Sequence, residues 1–330
     1  MNGTQPSSCY RNLTAEKIGI TVAYCLIFLV SLAGNTVIGI IVYKTKTMRR
    51  PINFLIVNMA MSDLLFPIFG FPYWMQKLYI DSWLIGGPLG QALCKLTYYL
   101  PKVSLTVSIQ SLVLIAVDRF GAVVYPLRSP LISSRLCPFF ILATWIVAMA
   151  AASPYLFTLK LVEYPEGLVC HDPLRWKEAF GKSSSLENYF GSGIIAFFFI
   201  PFVVITILYI IIYTKLKSQK NPGEHSANAE QQRQQREQNV LKMTIAIVLG
   251  FAVCSLPFGI SWFFIFASDR WSCGFPYLPY VVVLMARANC AINPCICFIF
   301  SRNYREGLKT LLRLRCSFKV GTYEGTSPCN

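Results

Sequence analysis

YFGSGIIAFFFIPFVVITILYIIIYT, residues 189–214, runs for 26 residues without one Asp, Glu, Lys or Arg. A hydrocarbon layer about 30 Å thick takes about 20 apolar residues of helix, because within it only the helix itself can satisfy the backbone polar groups. The run is long enough to cross. Segments 18–43, 136–159 and 243–268 are equally free of charge, and 51–76, 96–117 and 271–301 carry one charged residue each, Asp63, Lys102 and Arg287. Seven crossings predict an all-α membrane protein, a seven-transmembrane helix bundle whose two ends lie on opposite faces.

Basic residues are retained on the cytoplasmic side of a membrane. The segments 44–50, 118–135, 215–242 and 302–330 hold 19 Lys and Arg against 6 acids, most of the formal charge of +15. The excess is therefore topological. It predicts an extracellular N-terminus, a cytoplasmic C-terminus and contact with anionic lipid, and it does not point to nucleic acid. Residues 1–17 form a polar tail without a hydrophobic core of their own, so no cleavable signal peptide is read and the first helix serves as anchor. The tail carries two glycosylation sequons, at Asn2 and Asn12.

Of the 12 cysteines, Cys25, Cys137, Cys254, Cys290, Cys295 and Cys297 fall in or beside the apolar runs and read as small buried hydrophobes. Cys94 and Cys170 both fall on the oxidising face, where a disulfide between them is expected. Cys9 and Cys273 remain there as a second candidate pair, the alternative being an unpaired thiol. The stretch 159–170 alternates loosely around Pro165-Glu166-Gly167 and predicts a β-hairpin across the mouth of the bundle. Residues 217–238 read as a flexible linker or a helix extension that a partner would order.

Motif by motif, residues 18–316 resemble the rhodopsin-like family of G-protein-coupled receptors. Gly34-Asn35 stands in the first helix and Asn58-Met-Ala-Met-Ser-Asp63 in the second. Trp83 and Cys94 frame the first external loop, and Asp118-Arg119-Phe120 at the end of the third helix is followed by Pro126-Leu127. Trp145, Pro201 with Tyr209, Phe251-x-x-Cys254-x-x-Pro257 and Asn293-Pro294 mark the fourth to seventh helices. The resemblance implies that Asp63 meets Ser108, Asn289 and Asn293, around either an allosteric sodium ion or a water network. It implies coupling to a heterotrimeric G protein through Asp118, Arg119, Leu127, Tyr209 and Glu237, with Arg119 and Glu237 pairing at rest. Ile109, Pro201 and Phe251 match the core that repacks on activation, and Pro201, Pro257 and Pro294 supply kinks about which helix segments swing.

Three positions depart from the family pattern. Phe120 replaces the tyrosine of Asp-Arg-Tyr, Ser255 replaces the tryptophan two residues before Pro257, and Cys297 replaces the tyrosine of Asn-Pro-x-x-Tyr. The last two remove a lever under the ligand pocket and a hydroxyl expected to reach Tyr209, which keeps a non-signalling decoy among the readings. Phe300, Tyr304, Leu308 and Leu311 recur at helical spacing against Arg302, Arg305, Lys309 and Arg313, predicting an amphipathic helix on the inner leaflet over 302–316. Cys316 beyond it is a palmitoylation candidate or a free thiol. The tail 317–330 holds few Ser and Thr, so arrestin recruitment through it is expected to be modest.

Pro101 stands where amine receptors keep an aspartate, and no lysine lies between Lys242 and Lys309 to hold retinal. Lys102 and Arg287 sit in the outer half of the bundle, where a buried cation needs a counter-ion: Asp63, a carbonyl or water on one reading, a ligand carboxylate or sulfate on the other. Tyr98, Tyr99, Trp262 and Phe266 are read as lining the mouth. With the hairpin, and with a resemblance to neuropeptide receptors in 240–243 and 301–305, they favour an extracellular peptide ligand over a small anionic metabolite or lipid acid. A transporter would want an internal repeat and coupling acids; no repeat is seen, and Asp63 is the only acid wholly within an apolar run. No metal cluster, nucleophile elbow or phosphate loop points to an enzyme, and no cofactor is implied beyond the sodium ion.

Overall fold

The computed structural model describes residues 13–80, 82–125, 130–165, 167–170, 192–193, 195–218, 228–268 and 278–320, with only the backbone described at 13–16, 218, 228–234, 236–237, 262–268, 278–280 and 314–320. Among the described residues, seven helices are long and apolar enough to cross a membrane. We label them α1 (Leu13–Lys44), α2 (Pro51–Tyr79), α3 (Gly87–Val124), α4 (Cys137–Thr158), α5 (Ile195–Lys217), α6 (Asn228–Ser268) and α7 (Leu278–Phe300), followed by α8 (Arg302–Val320). α3 outruns the sequence reading, continuing past Asp118 and Arg119 to Val124; α6 begins at Asn228, so the second half of 217–238 follows the helix-extension reading.

Burial divides each helix into two faces. Ile38, Leu55, Met59, Ile109, Leu112, Ile115, Ile247 and Phe251 meet in one central core, whereas Leu26, Phe139, Ile207, Val253 and Ile299 stand exposed around the outside. An apolar belt of that extent would be a liability in water and is the ordinary outer surface of a protein solvated by lipid.

Prolines break the helices at positions where side chains repair the damage. A proline at position i has no N–H to donate to the carbonyl at i−4, and its ring pushes against that carbonyl. Pro67 sits in a π-helical turn, Phe66–Gly70, and the carbonyl it leaves open, that of Asp63, accepts from Ser31 Oγ of α1 at 3.4 Å. Pro294 leaves the carbonyl of Cys290 open, and Asn35 Nδ2, also from α1, donates to it at 2.9 Å. At Pro154 the carbonyl of Ala150 accepts from Ser153 Oγ at 2.8 Å. α2 and α7 are thus stitched to α1 through the groups their prolines release, whereas α4 meets its own.

Asn58 ties three helices together. Its Nδ2 donates to Ser111 Oγ of α3 at 2.9 Å and Thr144 Oγ1 of α4 at 3.2 Å, and its Oδ1 accepts from Trp145 Nε1 at 2.8 Å. At one end of the bundle the hairpin forms as expected, β1 (Leu161–Tyr164) antiparallel to β2 (Gly167–Cys170), with Leu161 opposite Cys170. Gly167 adopts φ 129°, and a Cβ there would lie 2.8 Å from that of Ser82, so the turn needs glycine on both counts. The Cys94–Cys170 disulfide, Trp83 N donating to Leu168 O at 2.6 Å and Leu161 N donating to Gln91 Oε1 at 2.8 Å fasten the hairpin over α3. At the other end Tyr304 of α8 is buried against Phe298 and donates to Asn53 Oδ1 at 3.4 Å. The basic face of α8 remains exposed at Arg302, Arg305, Lys309 and Arg313.

α1 approaches α7 as closely as a glycine permits: a Cβ on Gly34 would sit 2.6 Å from Pro294 Cβ, while one on Gly39 meets nothing. Gly34→Val is expected to cost about 1–3 kcal/mol by forcing the two helices apart. Thermal melting of the detergent-purified protein checks it, with Gly39→Ala as the neutral control. Equal melting temperatures would show that the helices do not need this contact.

Candidate functional site

The centre of the bundle holds a carboxylate. Asp63 is 1% exposed, and its two oxygens are claimed from two helices: Ser108 Oγ of α3 donates to Oδ1 at 2.8 Å and Asn293 Nδ2 of α7 donates to Oδ2 at 2.7 Å. Ser62 Oγ lies 3.0 Å from Ser108 Oγ and extends the network along α2. Three of the four residues read as one polar cluster are therefore joined by direct hydrogen bonds. The fourth, Asn289, is buried one turn before Asn293 on α7, and the Oδ1 atoms of Asn289, Asn293 and Asn35 are enclosed without a partner among the described residues. Two donors on a buried carboxylate, beside unpaired carbonyl oxygens, leave room for a further positive partner.

Toward the α8 end, Arg119 grips Asp118, with Nε and Nη2 donating to Oδ2 at 3.1 and 2.6 Å. The pair joins neighbouring residues of α3. Glu237 lies on the first half of α6, and its side chain falls outside the described residues, as do Leu127 and the side chain of Cys316. Tyr209 of α5 points its hydroxyl into the protein without a well-formed hydrogen bond, beside Thr244 of α6. Cys297 is fully buried, so no hydroxyl from that position approaches Tyr209.

The space around α6 is filled from α5. Phe198, Phe202 and Phe251 form a run of rings with centroid separations of 5.3 and 5.7 Å, and Phe198 packs so tightly on Gly259 that a Cβ there would lie inside contact distance of the ring. Ile109 joins this core and Pro201 borders it, half-buried. Ser255 is buried with its hydroxyl unpaired, so the small residue does not substitute a polar link for the indole it replaces.

At the hairpin end the two intramembrane cations face different walls. Lys102 Nζ lies 5.5 Å from the ring centre of Phe258 on α6. Arg287 turns toward α1 and α2, where its guanidinium carbon sits 3.6 Å from the centre of Trp74, 5.2 Å from Tyr24 and 6.0 Å from Phe66. The sequence reading offered Asp63, a carbonyl or water as the bland partner for Arg287; aromatic faces supply the contact in the structure. Tyr98 engages Tyr73, hydroxyl to hydroxyl at 2.6 Å, in a cluster with Trp83, and Tyr99 packs against α4, donating to Met149 O at 3.4 Å. The side chains of Trp262 and Phe266, and all of Asn2, Cys9, Asn12 and Cys273, lie outside the described residues. Trp74, Tyr24 and Phe66 went unnoticed in the sequence. The signal was there in principle, since three aromatics on α1 and α2 were available to a cation on α7, but which faces meet depends on helix rotation.

A seven-helix bundle with a polar core at Asp63, an Asp-Arg pair at one end and a disulfide-pinned hairpin at the other defines a multi-pass membrane protein. The chain matches the model of the rhodopsin family of seven-transmembrane receptors over residues 34–296, and it belongs to that family. It is 30% identical over 297 residues to the QRFP-like peptide receptor of Branchiostoma floridae, an alignment covering 89% of this chain and 77% of that one. It is 29% identical over 306 residues to the RYamide receptor of Drosophila melanogaster, covering 90% of this chain and 63% of that one. The neuropeptide Y receptor type 1 of Xenopus laevis is 30% identical over 310 residues, 91% of this chain and 82% of that one.

The geometry makes Asn293 and Asp63 a coupled pair. Asn293→Ala removes a donor from a buried carboxylate and is expected to cost about 1–3 kcal/mol. In the Asp63→Asn background the same substitution costs clearly less, because no charge is left to desolvate. A double-mutant melting cycle reads the difference, and purely additive costs would mean the two side chains act independently.

Proposed function

We propose that this chain is a plasma-membrane receptor for an extracellular peptide that passes its signal to a heterotrimeric G protein. The observation that carries the ligand class is the similarity to the QRFP-like, RYamide and neuropeptide Y receptors across about nine-tenths of the chain. The hairpin across one end of the bundle, and the aromatic cluster beneath it, support a ligand with extended surface. In this reading the hairpin end faces outward and α8 lies on the inner leaflet, as the distribution of Lys and Arg favours. Asn2 and Asn12 carry glycans, Cys9 pairs with Cys273, and Cys316 carries an acyl chain that deepens the membrane contact of α8.

Signalling is a two-state equilibrium. A peptide that prefers the bundle open at the hairpin end stabilises a cleft at the α8 end, and a bound G protein tightens the peptide in return. Arg119 is the residue that the cleft would expose, and Glu237, Tyr209, Leu127 and Asp118 share the coupling role with it. Arrestin engages the same cleft. Ile109, Pro201 and Phe251 repack as α6 swings about Pro257. The ring of Phe202, between those of Phe198 and Phe251, takes part of the steric role vacated at Ser255.

The test is G-protein dissociation, read with energy-transfer sensors for each major α-subunit class, in cells challenged with a peptide library. A saturable response to one peptide, lost in Arg119→Ala at equal surface expression, is the expected result. Silence from every peptide at confirmed surface expression would sink the peptide reading and turn attention to a small anionic metabolite or lipid acid, or to a decoy disabled at Ser255 and Cys297.

For the polar core we propose a sodium ion bound by Asp63, Ser108, Asn289 and Asn293 in the resting state. Oxygen donors around a carboxylate suit a small hard cation, and the unpaired Oδ1 atoms of Asn289 and Asn293 are what such an ion would use. Replacing choline chloride by sodium chloride should raise the melting temperature of the purified receptor and leave Asp63→Asn unmoved. An equal response of the two proteins would assign the site to water.

A further inference from the structure

Among the described residues, Arg287 is held by aromatic rings. Among the described residues it forms no ion pair and donates no side-chain hydrogen bond, since Asp63 is engaged with Ser108 and Asn293. A separation of 3.6 Å between the guanidinium carbon and the Trp74 ring centre is van der Waals contact, the spacing of stacked planes. Stacking occupies a face of the guanidinium. Its five N–H donors point outward in the plane, and ring faces accept them poorly, so among the described residues nothing takes the edge of the fork.

Trp74 carries a second cation. Lys77, one turn on along α2 and exposed, places Nζ 5.3 Å from the same indole and 5.7 Å from Tyr73. The corner between α1, α2 and α7 therefore presents an exposed ammonium, an aromatic plate and then a partly buried guanidinium. A positive path narrowing to a desolvated fork attracts anions and repels cations. A planar carboxylate matches the fork with two parallel hydrogen bonds and neutralises the charge the rings can only shelter.

We propose that the corner formed by Arg287, Trp74, Tyr24 and Phe66 is the docking site for a carboxylate of the activating ligand. This rests on the peptide reading above and narrows it: the peptide bears a free acid, either its C-terminus or an Asp or Glu side chain. Binding leaves the Trp74 stack in place and fills the edge of the fork, so the cage orients the acid without having to open. An amidated peptide without acidic side chains offers a carbonyl at most and leaves the guanidinium charge uncompensated.

The experiment uses a peptide library in which every sequence is present as C-terminal acid and C-terminal amide, with each Asp and Glu also exchanged for Asn and Gln. It is run on cells expressing the full chain or Arg287→Gln at equal surface density, with G-protein dissociation as readout. The expected result is an activating peptide that loses about tenfold to a hundredfold in potency when one carboxylate becomes an amide. That preference collapses in Arg287→Gln, and whichever exchange matters names the source of the acid. If Arg287→Gln does not reach the surface, Arg287→Lys carries the comparison, keeping the charge but losing the fork. A peptide that activates equally well without any carboxylate, or whose acid preference survives both Arg287 variants, overturns the proposal. If no peptide in any form activates, the peptide reading has failed separately, and melting of the purified receptor with millimolar 4-phenylbutyrate or 4-phenylbutyramide decides the acid site. Stabilisation by the acid alone, lost in the Arg287 variant, upholds it, and equal effects of acid and amide overturn it.

Discussion

Asp63 is a carboxylate enclosed in a bundle that has hydrocarbon for a solvent, and the arrangement of its neighbours follows from that expense. An ionisable group at membrane depth is tolerated only where the bundle interior supplies partners. The donors come from α3 and α7, and the backbone carbonyl of the same residue, opened by Pro67, draws Ser31 from α1. One residue of α2 thus fixes three other helices around it. Lipid offers no competing hydrogen bonds and no hydrophobic force between helices, so interhelical polar contacts and close approaches such as Gly34 on Pro294 decide the packing.

The same economy explains why so many prolines coexist with a well-packed interior. Each proline opens a carbonyl that lipid cannot satisfy. Ser31, Asn35 and Ser153 meet three of them, and two of these donors stand on α1. α1 is consequently more than a membrane anchor. It is a strut that makes the bends of α2 and α7 affordable, and Gly34 next to Asn35 lets it come near enough to do so.

The seven crossings, the hairpin with its turn at Gly167 and the Cys94–Cys170 bridge were legible in the residues, because hydropathy, turn chemistry and redox side are local or additive properties. The meeting of Asp63, Ser108 and Asn293 was legible only through the family resemblance, since nothing in a helical pattern says which helices are neighbours. Side-chain direction was the part that escaped. Tyr98 and Tyr99 are adjacent in sequence and both aromatic, yet one faces Tyr73 and the other α4, because successive residues on a helix point about 100° apart. The π-helical turn at Phe66–Gly70 shifts that phase again along α2, and Trp74, beyond the turn, lands on Arg287. The extension of α3 to Val124 was missed for a different reason: Asp118 and Arg119 end the apolar run without ending the helix.

α7 gives the outer corner a mechanical route to the centre. Arg287 and Asn293 are six residues apart on one helix, about 9 Å of rise, with Pro294 just beyond. A charge seated on Arg287 acts on the segment that holds Asp63 through Asn293 and leans on α1 through the carbonyl of Cys290. Because the bend at Pro294 is propped by Asn35 rather than by the helix itself, small displacements of this segment exchange side-chain hydrogen bonds instead of breaking a continuous backbone ladder. A ligand gains control of such an element only in proportion to its preference for one of the two arrangements. With Ser255 in place of the bulky lever on α6, and Cys297 unable to offer Tyr209 a hydroxyl, the physical case for routing the signal through α7 and its hold on Asp63 is stronger here than the case for routing it through α6 alone.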